Sequence, residues 1–234
     1  RGQVSSIDDA VQILGLRTVA STLAAASLRN TLGTIRCDAF PFDTYWRHTL
    51  CTALSSRELA RHASLDPGKA FLLGLLHDVG KIILCTTLSQ QQTQAMRRYL
   101  AEGASTHEAE LRVFGVSHAE VGAAVVRQWH FPDPVAQAIA EHHLPINTHE
   151  SFNGDHTHLL QMANRLAHEL EDPAALSQAE VTNPMWSVMG CSEDQLHRLA
   201  ERVCGELDVL SDALQNKSPC PRSDAGLKLL ASTG

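Results

Sequence analysis

The sequence predicts an all-α protein, a compact bundle of many helices without a significant sheet. Apolar residues recur at helical spacing through most of the 234 residues, and no stretch shows the alternation of a half-buried strand. Helix-capping sequences also recur along the chain. The length suits one large domain, or one domain with an appendage, and it is ample for a hydrophobic core.

The composition is that of a globular protein in a reducing compartment. Apolar residues make up 44% of the chain and charged residues 19%, which excludes a disordered protein. The formal net charge of -7 argues against a general nucleic-acid or anionic-membrane binder. The six cysteines form no CxxC pair, so we expect reduced thiols. With no signal peptide or membrane-length apolar run evident, we expect a cytoplasmic protein without membrane attachment or direct nucleic-acid binding.

The first half of the chain predicts a series of helices with short breaks. A short helix closes at Gly15, and Asp43 is expected to cap a long helix that follows a loop. After an Asp-Pro-Gly turn at residues 66–68, an apolar helix carries His77, and Gly80 is expected to interrupt it. The predicted helical stretches are residues 6–15, 16–32, 43–62, the segment around residue 77, and 82–88.

The second half of the chain contains three capping-box motifs, in each of which a serine is followed three residues later by glutamate or glutamine. They occur at Ser105-x-x-Glu108, Ser117-x-x-Glu120 and Ser192-x-x-Gln195. Helices are predicted over residues 90–102, 135–143 and 158–170, with a final helix reaching about residue 214. The domain is therefore predicted to span residues 1–214, and residues 215–234, which contain two prolines, are predicted to form a tail or linker.

The stretch Leu73–Lys81 carries the strongest functional signal. An apolar run ends in an adjacent imidazole and carboxylate, His77 and Asp78, and Lys81 follows one turn later. Burying either group without a partner costs several kcal/mol. Two interpretations satisfy this requirement: the pair holds a metal ion, or it belongs to a closed hydrogen-bond network.

Five of the thirteen histidines fall on predicted buried helix faces or at helix ends: His48, His77, His118, His142 and His143. Imidazole is the commonest transition-metal ligand, so with Asp78 they could bind one or two divalent ions such as Fe, Mn, Zn or Mg. The alternative is a set of satisfied core or helix-end histidines. Six others are expected on the surface or in loops: His107, His149, His156, His158, His168 and His197.

The order of these motifs resembles the HD superfamily of helical metal-dependent phosphohydrolases. Within it, the chain most resembles the HDOD family, the HD-related output domains of bacterial signalling proteins. The resemblance covers about residues 4–170 and implies an HD-superfamily-like bundle that lacks the family's first helices. The matching segments are SSIDDAVQILGLRTV, FDTYWRHTL, AFLLGLLHDVGKIIL and HEAELRVFGVSHAEVGAAVVRQWHFPDPVAQAIAEHH.

The resemblance implies six metal ligands: His48, His77, Asp78, His118, His142 and His143. Lys81 matches the lysine of the HDxGK motif of HD-GYP phosphodiesterases, and Asp78 and Lys81 would serve catalysis in an active enzyme. Asn164 stands where HD enzymes have a second aspartate, and a neutral amide is a poorer ligand than a carboxylate. Thr44 replaces a glutamate of trinuclear sites, and the HHE…GYP signature is missing.

These departures favour a regulatory output module that is non-catalytic or weakly catalytic and acts through protein–protein interaction. The resemblance implies receiver, GGDEF or EAL signalling proteins as partners, or self-association. The alternative function is an active metal-dependent phosphohydrolase, a phosphodiesterase or nucleotide phosphatase. A third interpretation is a sensor that binds a nucleotide without turning it over.

Overall fold

The computed structural model describes residues 16–33, 41–145, 152, 154–171 and 189–213, and these residues form helices without any strand. The predicted all-α fold is confirmed. Ten helices are described: α1 (Leu16–Leu32), α2 (Phe42–His62), α3 (Pro67–Leu76), α4 (Val79–Thr87), α5 (Gln90–Ala101), α6 (Thr106–Phe114), α7 (His118–Gln128), α8 (Asp133–Glu141), α9 (His156–Glu171) and α10 (Glu193–Ala213).

Helix α2 lies at the centre of the bundle. Its side chains are buried almost without interruption from Tyr45 to Ala60, and α3, α9 and α10 pack around it. Trp46, Leu50 and Leu54 have no exposed surface. A second, smaller apolar cluster joins α3, α7 and α8 with Leu160 of α9. The two clusters together hold α3 between the central helix and the α7–α8 pair.

The predicted capping boxes are confirmed. In each box the serine hydroxyl accepts from the backbone N–H three residues later, and the acidic or amide side chain of that residue accepts from the serine N–H. The boxes lie at residues 105–108, 117–120 and 192–195. A further box, Ser89 with Gln92, starts α5. The predicted turn at residues 66–68 is a helix start, because the Asp66 carboxylate accepts from the N–H groups of Gly68 and Lys69.

Some predicted helix limits are wrong. Helix α2 begins at Phe42, so Asp43 lies in the first turn and caps nothing. The break after α3 falls at His77 and Asp78, whereas Gly80 lies inside α4. A Cβ atom at Gly80 would lie 2.0 Å from the carbonyl oxygen of His118, so this glycine allows the backbones of α4 and α7 to touch. Helix α8 ends at Glu141, and the two following histidines lie beyond it.

Several predictions fall on residues outside the described ranges. They are the helix at 6–15 and the tail at 215–234, so the domain limits remain predictions. Cys51, Cys191 and Cys204 form no disulfide bond, as expected, but Cys85 is disulfide-bonded, which corrects the expectation for that residue. One stretch, Pro67–Thr87, is long and apolar enough to cross a membrane, and 72% of its apolar window is buried inside the structure, as in a core helix.

Candidate metal centre

Asp78 occupies the break between α3 and α4, and only 1% of its surface is exposed. The break follows from His77, whose ring Nδ1 lies 2.7 Å from the carbonyl oxygen of Gly74 and donates to it. The backbone of Asp78 leaves the helical region, with φ -103° and ψ 9°. Its carbonyl then accepts from the N–H of Lys81 at 2.9 Å, which starts α4. The carboxylate is thereby fixed where helices α2, α4, α7 and α8 meet.

The predicted histidines converge on this carboxylate. Nε2 of His118 lies 3.2 Å from Oδ1 of Asp78, and Nε2 of His142 lies 3.7 Å from the same oxygen. Nε2 of His77 is 3.3 Å and Nε2 of His48 is 3.9 Å from Oδ2. His143 joins through its Nε2, which lies 2.8 Å from Nε2 of His118. All six side chains named from the sequence therefore meet in one place.

Hydrogen bonds to the far ring nitrogens orient these imidazoles. Nδ1 of His142 lies 2.6 Å from the carbonyl oxygen of Ile139, and Nδ1 of His77 lies 2.7 Å from that of Gly74. A carbonyl can only accept, so both Nδ1 atoms carry the proton. Nδ1 of His118 lies 2.5 Å from Oε2 of Glu110, which also accepts the backbone N–H of His118 at 2.7 Å. Partners of this kind are typical of histidines that bind a metal through Nε2.

Several buried atoms in the centre face one another without a hydrogen-bond partner. They are Nε2 of His77, Nε2 of His142 and Oδ1 of Asp78, considering the described residues. In neutral rings with protonated Nδ1, the Nε2 lone pairs point toward a carboxylate, and this arrangement is repulsive unless a cation lies among them. Ligand atoms of Asp78, His118, His142 and His143 lie within 4.8 Å of one another. This donor set suits one divalent transition-metal ion.

The pKa shifts match that donor set at Asp78 and His142 but not at His118, from which a metal ion would have to displace a proton. Burial raises the pKa of Asp78, but the neighbouring His77, Lys81 and His118 outweigh it and hold the pKa well below its usual value. Nζ of Lys81 is 2.6 Å from Oδ2 of Asp78. Burial lowers the pKa values of His77 and His142. Burial also lowers that of His118, but bonds to its two carboxylate neighbours prevail and raise it. Asp78 is therefore ionised, and His77 and His142 are neutral, as metal ligands must be.

His48 differs from the other histidines because both of its ring nitrogens are engaged by α9. Nε2 lies 2.9 Å from Oδ1 of Asn164, and Nδ1 lies 2.9 Å from Oε2 of Glu171. A neutral ring can donate only once, so the ring is protonated or the Asn164 amide is turned to donate its N–H. In either case Asn164 takes the nitrogen that faces Asp78. The position of the expected second aspartate is thus filled by a neutral partner of His48.

Two histidines expected at the surface or in loops also contact this cluster: His168, which is exposed as expected, and His107, which is half-buried. The ring of His168 stacks on that of His48, with centroids 4.4 Å apart, and the ring of His107 lies 4.9 Å from that of His143. Burial and the neighbouring His48 lower the pKa of His168, although part of its ring reaches solvent. His168 follows Asn164 by four residues on α9, so helical spacing could have revealed it. No sequence signal identified Glu110, whose partner lies on another helix.

A cavity of about 440 Å³ adjoins the cluster. Its wall includes the polar side chains of His48, Asp78 and Lys81 and the apolar side chains of Leu84 and Phe114. Helices α2, α4, α5, α6 and α9 all contribute to it. The volume falls within the range of about 300–1,000 Å³ that is usual for small-molecule sites. The cavity can therefore accept a molecule of moderate size beside Lys81, although Asp78 itself is almost fully buried.

Comparison with known proteins identifies the family. The HDOD domain profile matches residues 1–145, more than half of the chain. The chain belongs to the HDOD family. The resemblance inferred from the histidine motifs is thus confirmed, whereas the assignment of the six side chains as metal ligands remains a prediction.

Solved structures share the fold of this HDOD chain. An HDOD domain protein of unknown function from Geobacter sulfurreducens is 22% identical, with a TM-score of 0.67 over 92% of this chain and 75% of its own. The MmoQ response regulator from Methylococcus capsulatus is 26% identical, with a TM-score of 0.54 over 86% of this chain and 76% of its own. An uncharacterized protein from Treponema pallidum is 27% identical over 74 residues, which are 32% of this chain and 14% of that protein.

Proposed function

We propose that this HDOD domain is a regulatory module of a bacterial, cytoplasmic signalling protein, and that it acts by binding other proteins rather than by turning over a substrate. Its partners would be receiver, GGDEF or EAL signalling proteins, or a second copy of the chain. The family and the response-regulator relative support the signalling role. The observation that carries the non-catalytic part is the bond between Asn164 and Nε2 of His48.

That bond removes one half of a two-metal site. Two-metal hydrolysis needs a second ion beside the first, and in this chain His48, His77 and Asp78 are the group that would hold it. Nε2 of His48 is already paired with an amide, and its Nδ1 with Glu171. No carboxylate replaces Asn164 as a charged ligand at this position. The second site therefore lacks a vacant nitrogen on His48 and the additional negative charge that a carboxylate at position 164 would supply.

The first site retains a full set of donors. Asp78, His118, His142 and His143 would hold one divalent ion, which when bound would balance the charge of Asp78 and satisfy the unpaired ring nitrogen of His142. The protein residues would then fix the geometry: Glu110 holds the ring of His118, and backbone carbonyls hold those of His77 and His142. In this proposal the ion is a structural part of the regulatory domain.

A second candidate function is an active phosphohydrolase, and the cavity beside Asp78 and Lys81 favours it. The ammonium of Lys81 could stabilise negative charge on a phosphoryl group. It lies 2.6 Å from Asp78, however, and this ion pair already engages it. Asn164 weakens this candidate for the reason given above.

The deciding experiment measures metal content and turnover in the same preparation. Protein purified without added metal should contain close to one equivalent of transition metal, and His118→Ala should lose it. His62→Ala, an exposed histidine at the end of α2, is the matched control and should retain the ion. Wild-type protein should not hydrolyse bis-p-nitrophenyl phosphate with Mn or Fe, and Asn164→Asp should raise the metal content above that of the wild type.

Each part of the proposal has its own contrary result. A metal content below about a tenth of an equivalent would contradict the proposal of a structural ion, since a structural site of this kind binds its metal tightly. Hydrolysis by the wild-type protein that disappears in His77→Ala would show that the domain is an enzyme. If Asn164→Asp changes neither metal content nor activity, the argument from the missing ligand is wrong.

A further inference from the structure

Helix α5 has an unusual position in the fold. None of its 12 residues is buried, although helices of a globular domain normally bury an apolar face. Thr93, Met96, Arg97 and Leu100 recur at the spacing of one helical face, and all four line the cavity beside the metal centre. Leu100 remains 43% exposed. The inner face of α5 therefore covers empty space rather than the hydrophobic core.

The opposite wall of the cavity is also apolar. Leu84 and Leu88, at the end of α4, and Phe114, at the end of α6, face the same space as Met96 and Leu100. Helix α5 is attached mainly through α6, where the guanidinium groups of Arg98 and Arg112 lie over the Tyr99 ring, 5.1 and 5.3 Å from its centroid. These contacts lie on residues that do not line the cavity. An apolar molecule in the cavity would thus complete the burial that α5 lacks.

The charged side chains in the cavity wall indicate which charge such a molecule would carry. Its carboxylates, Asp78, Glu110 and Glu171, accept from Lys81, His118 and His48 respectively. Among the described residues, no carboxylate pairs with Arg97, which also lines the cavity. Lys81 has further N–H donors beyond the one directed at Asp78. The cavity wall therefore carries an exposed guanidinium without a carboxylate partner, whereas each of its three carboxylates accepts from a lysine or histidine side chain.

We propose that this cavity binds an amphipathic organic anion, with its apolar body between α4, α5 and α6 and its anionic group at Arg97. The inference rests on the proposed regulatory function, because such a molecule would be the signal that the domain reads. Binding would fix α5 over the cavity and so change the surface that this helix offers to other proteins. The site needs no metal ion, since its apolar wall and Arg97 lie outside the histidine cluster.

The test uses decanoate as the anionic probe and decyltrimethylammonium, which has the same chain and the opposite charge, as the comparison. Isothermal titration calorimetry on protein dialysed against EDTA should show saturable binding of decanoate and none of the cation. Arg97→Gln should weaken decanoate binding about tenfold, the usual effect of losing one charge-assisted bond. Arg98→Gln is the matched control, because this neighbour lies outside the cavity, and it should bind within about twofold of wild type.

A second pair of variants tests the apolar wall. Leu100→Gln should weaken decanoate binding, whereas Leu111→Gln, at a residue of similar exposure on α6 that does not line the cavity, should not. Binding weaker than about 1 mM, equal binding of the two probes, or equal effects of Arg97→Gln and Arg98→Gln would overturn the inference. These outcomes leave metal content and turnover untouched, so failure of this inference is distinguishable from failure of the proposed function.

Discussion

Replacing Gly80 with alanine should destabilise the protein and displace the metal centre. Gly80 lies in α4, two residues after Asp78, and faces the start of α7. A Cβ atom there would lie 2.0 Å from the carbonyl oxygen of His118 and 2.7 Å from the backbone nitrogen of Gly122. Both obstacles are backbone atoms, which cannot rotate away as a side chain can. The variant can fold only if α4 and α7 move apart.

The size of the effect follows from that separation. Since Cβ contacts under 3.0 Å essentially do not occur, the helices must part by about 1 Å. Overpacking of a closely packed core typically costs about 1–3 kcal/mol, and a backbone obstacle belongs at the upper end. The better helix propensity of alanine offsets at most about 1 kcal/mol of this loss in stability. A net loss of about 2 kcal/mol in the free energy of unfolding is expected.

Urea unfolding followed by circular dichroism measures this loss. The control is Gly205→Ala in α10, where a Cβ atom would meet nothing within 4 Å, and this variant should gain about 0.5–1 kcal/mol. The separation should also move His118 away from Asp78, so Gly80→Ala should purify with less metal than Gly205→Ala. If both variants unfold at the urea concentration of the wild type or above it, close contact between α4 and α7 is not what this glycine provides.

Two further substitutions test charged groups away from the histidines. Glu58, 2% exposed, pairs with Arg202 of α10 at 2.9 Å. Glu58→Gln should lower the free energy of unfolding in urea by about 2 kcal/mol, a small loss for a broken buried pair because Arg202 is half-exposed. An unchanged unfolding midpoint would refute this expectation. Glu110→Gln should weaken metal binding about tenfold in a chelator competition, since Glu110 orients His118. The exposed capping residue Glu108 is its control, and equal affinity in Glu108→Gln and Glu110→Gln would contradict the orienting role.

The sequence was sufficient to predict features that depend on near neighbours. The capping boxes need only a serine and a side chain three residues later, and all three predicted boxes occur. The order of the HD-type motifs was likewise sufficient to predict that His48, Asp78 and His118 lie together. These features are predictable because helix type depends on local spacing, and because the motif order reflects a fold that the family shares.

Features decided by contacts between distant residues were not predictable in this way. The break after α3 was assigned to Gly80 from its low helix propensity, but the bond from the His77 ring to the Gly74 carbonyl places it earlier. The bond between Glu110 and His118 joins two helices across a turn. His168 is exposed, as expected, and only its four-residue spacing from Asn164 on α9 hinted that its ring stacks on that of His48.

The match to the HDOD profile ends at residue 145, but residues beyond it also pack into the core of the domain. Leu159, Met162 and Leu166 of α9 belong to the same buried core as Trp46, and α10 packs against α2 as well. A graft of this domain onto another protein, if trimmed at the profile's edge, would expose that core to water and remove both partners of the His48 ring. We therefore expect a transferable module to extend at least through Ala213.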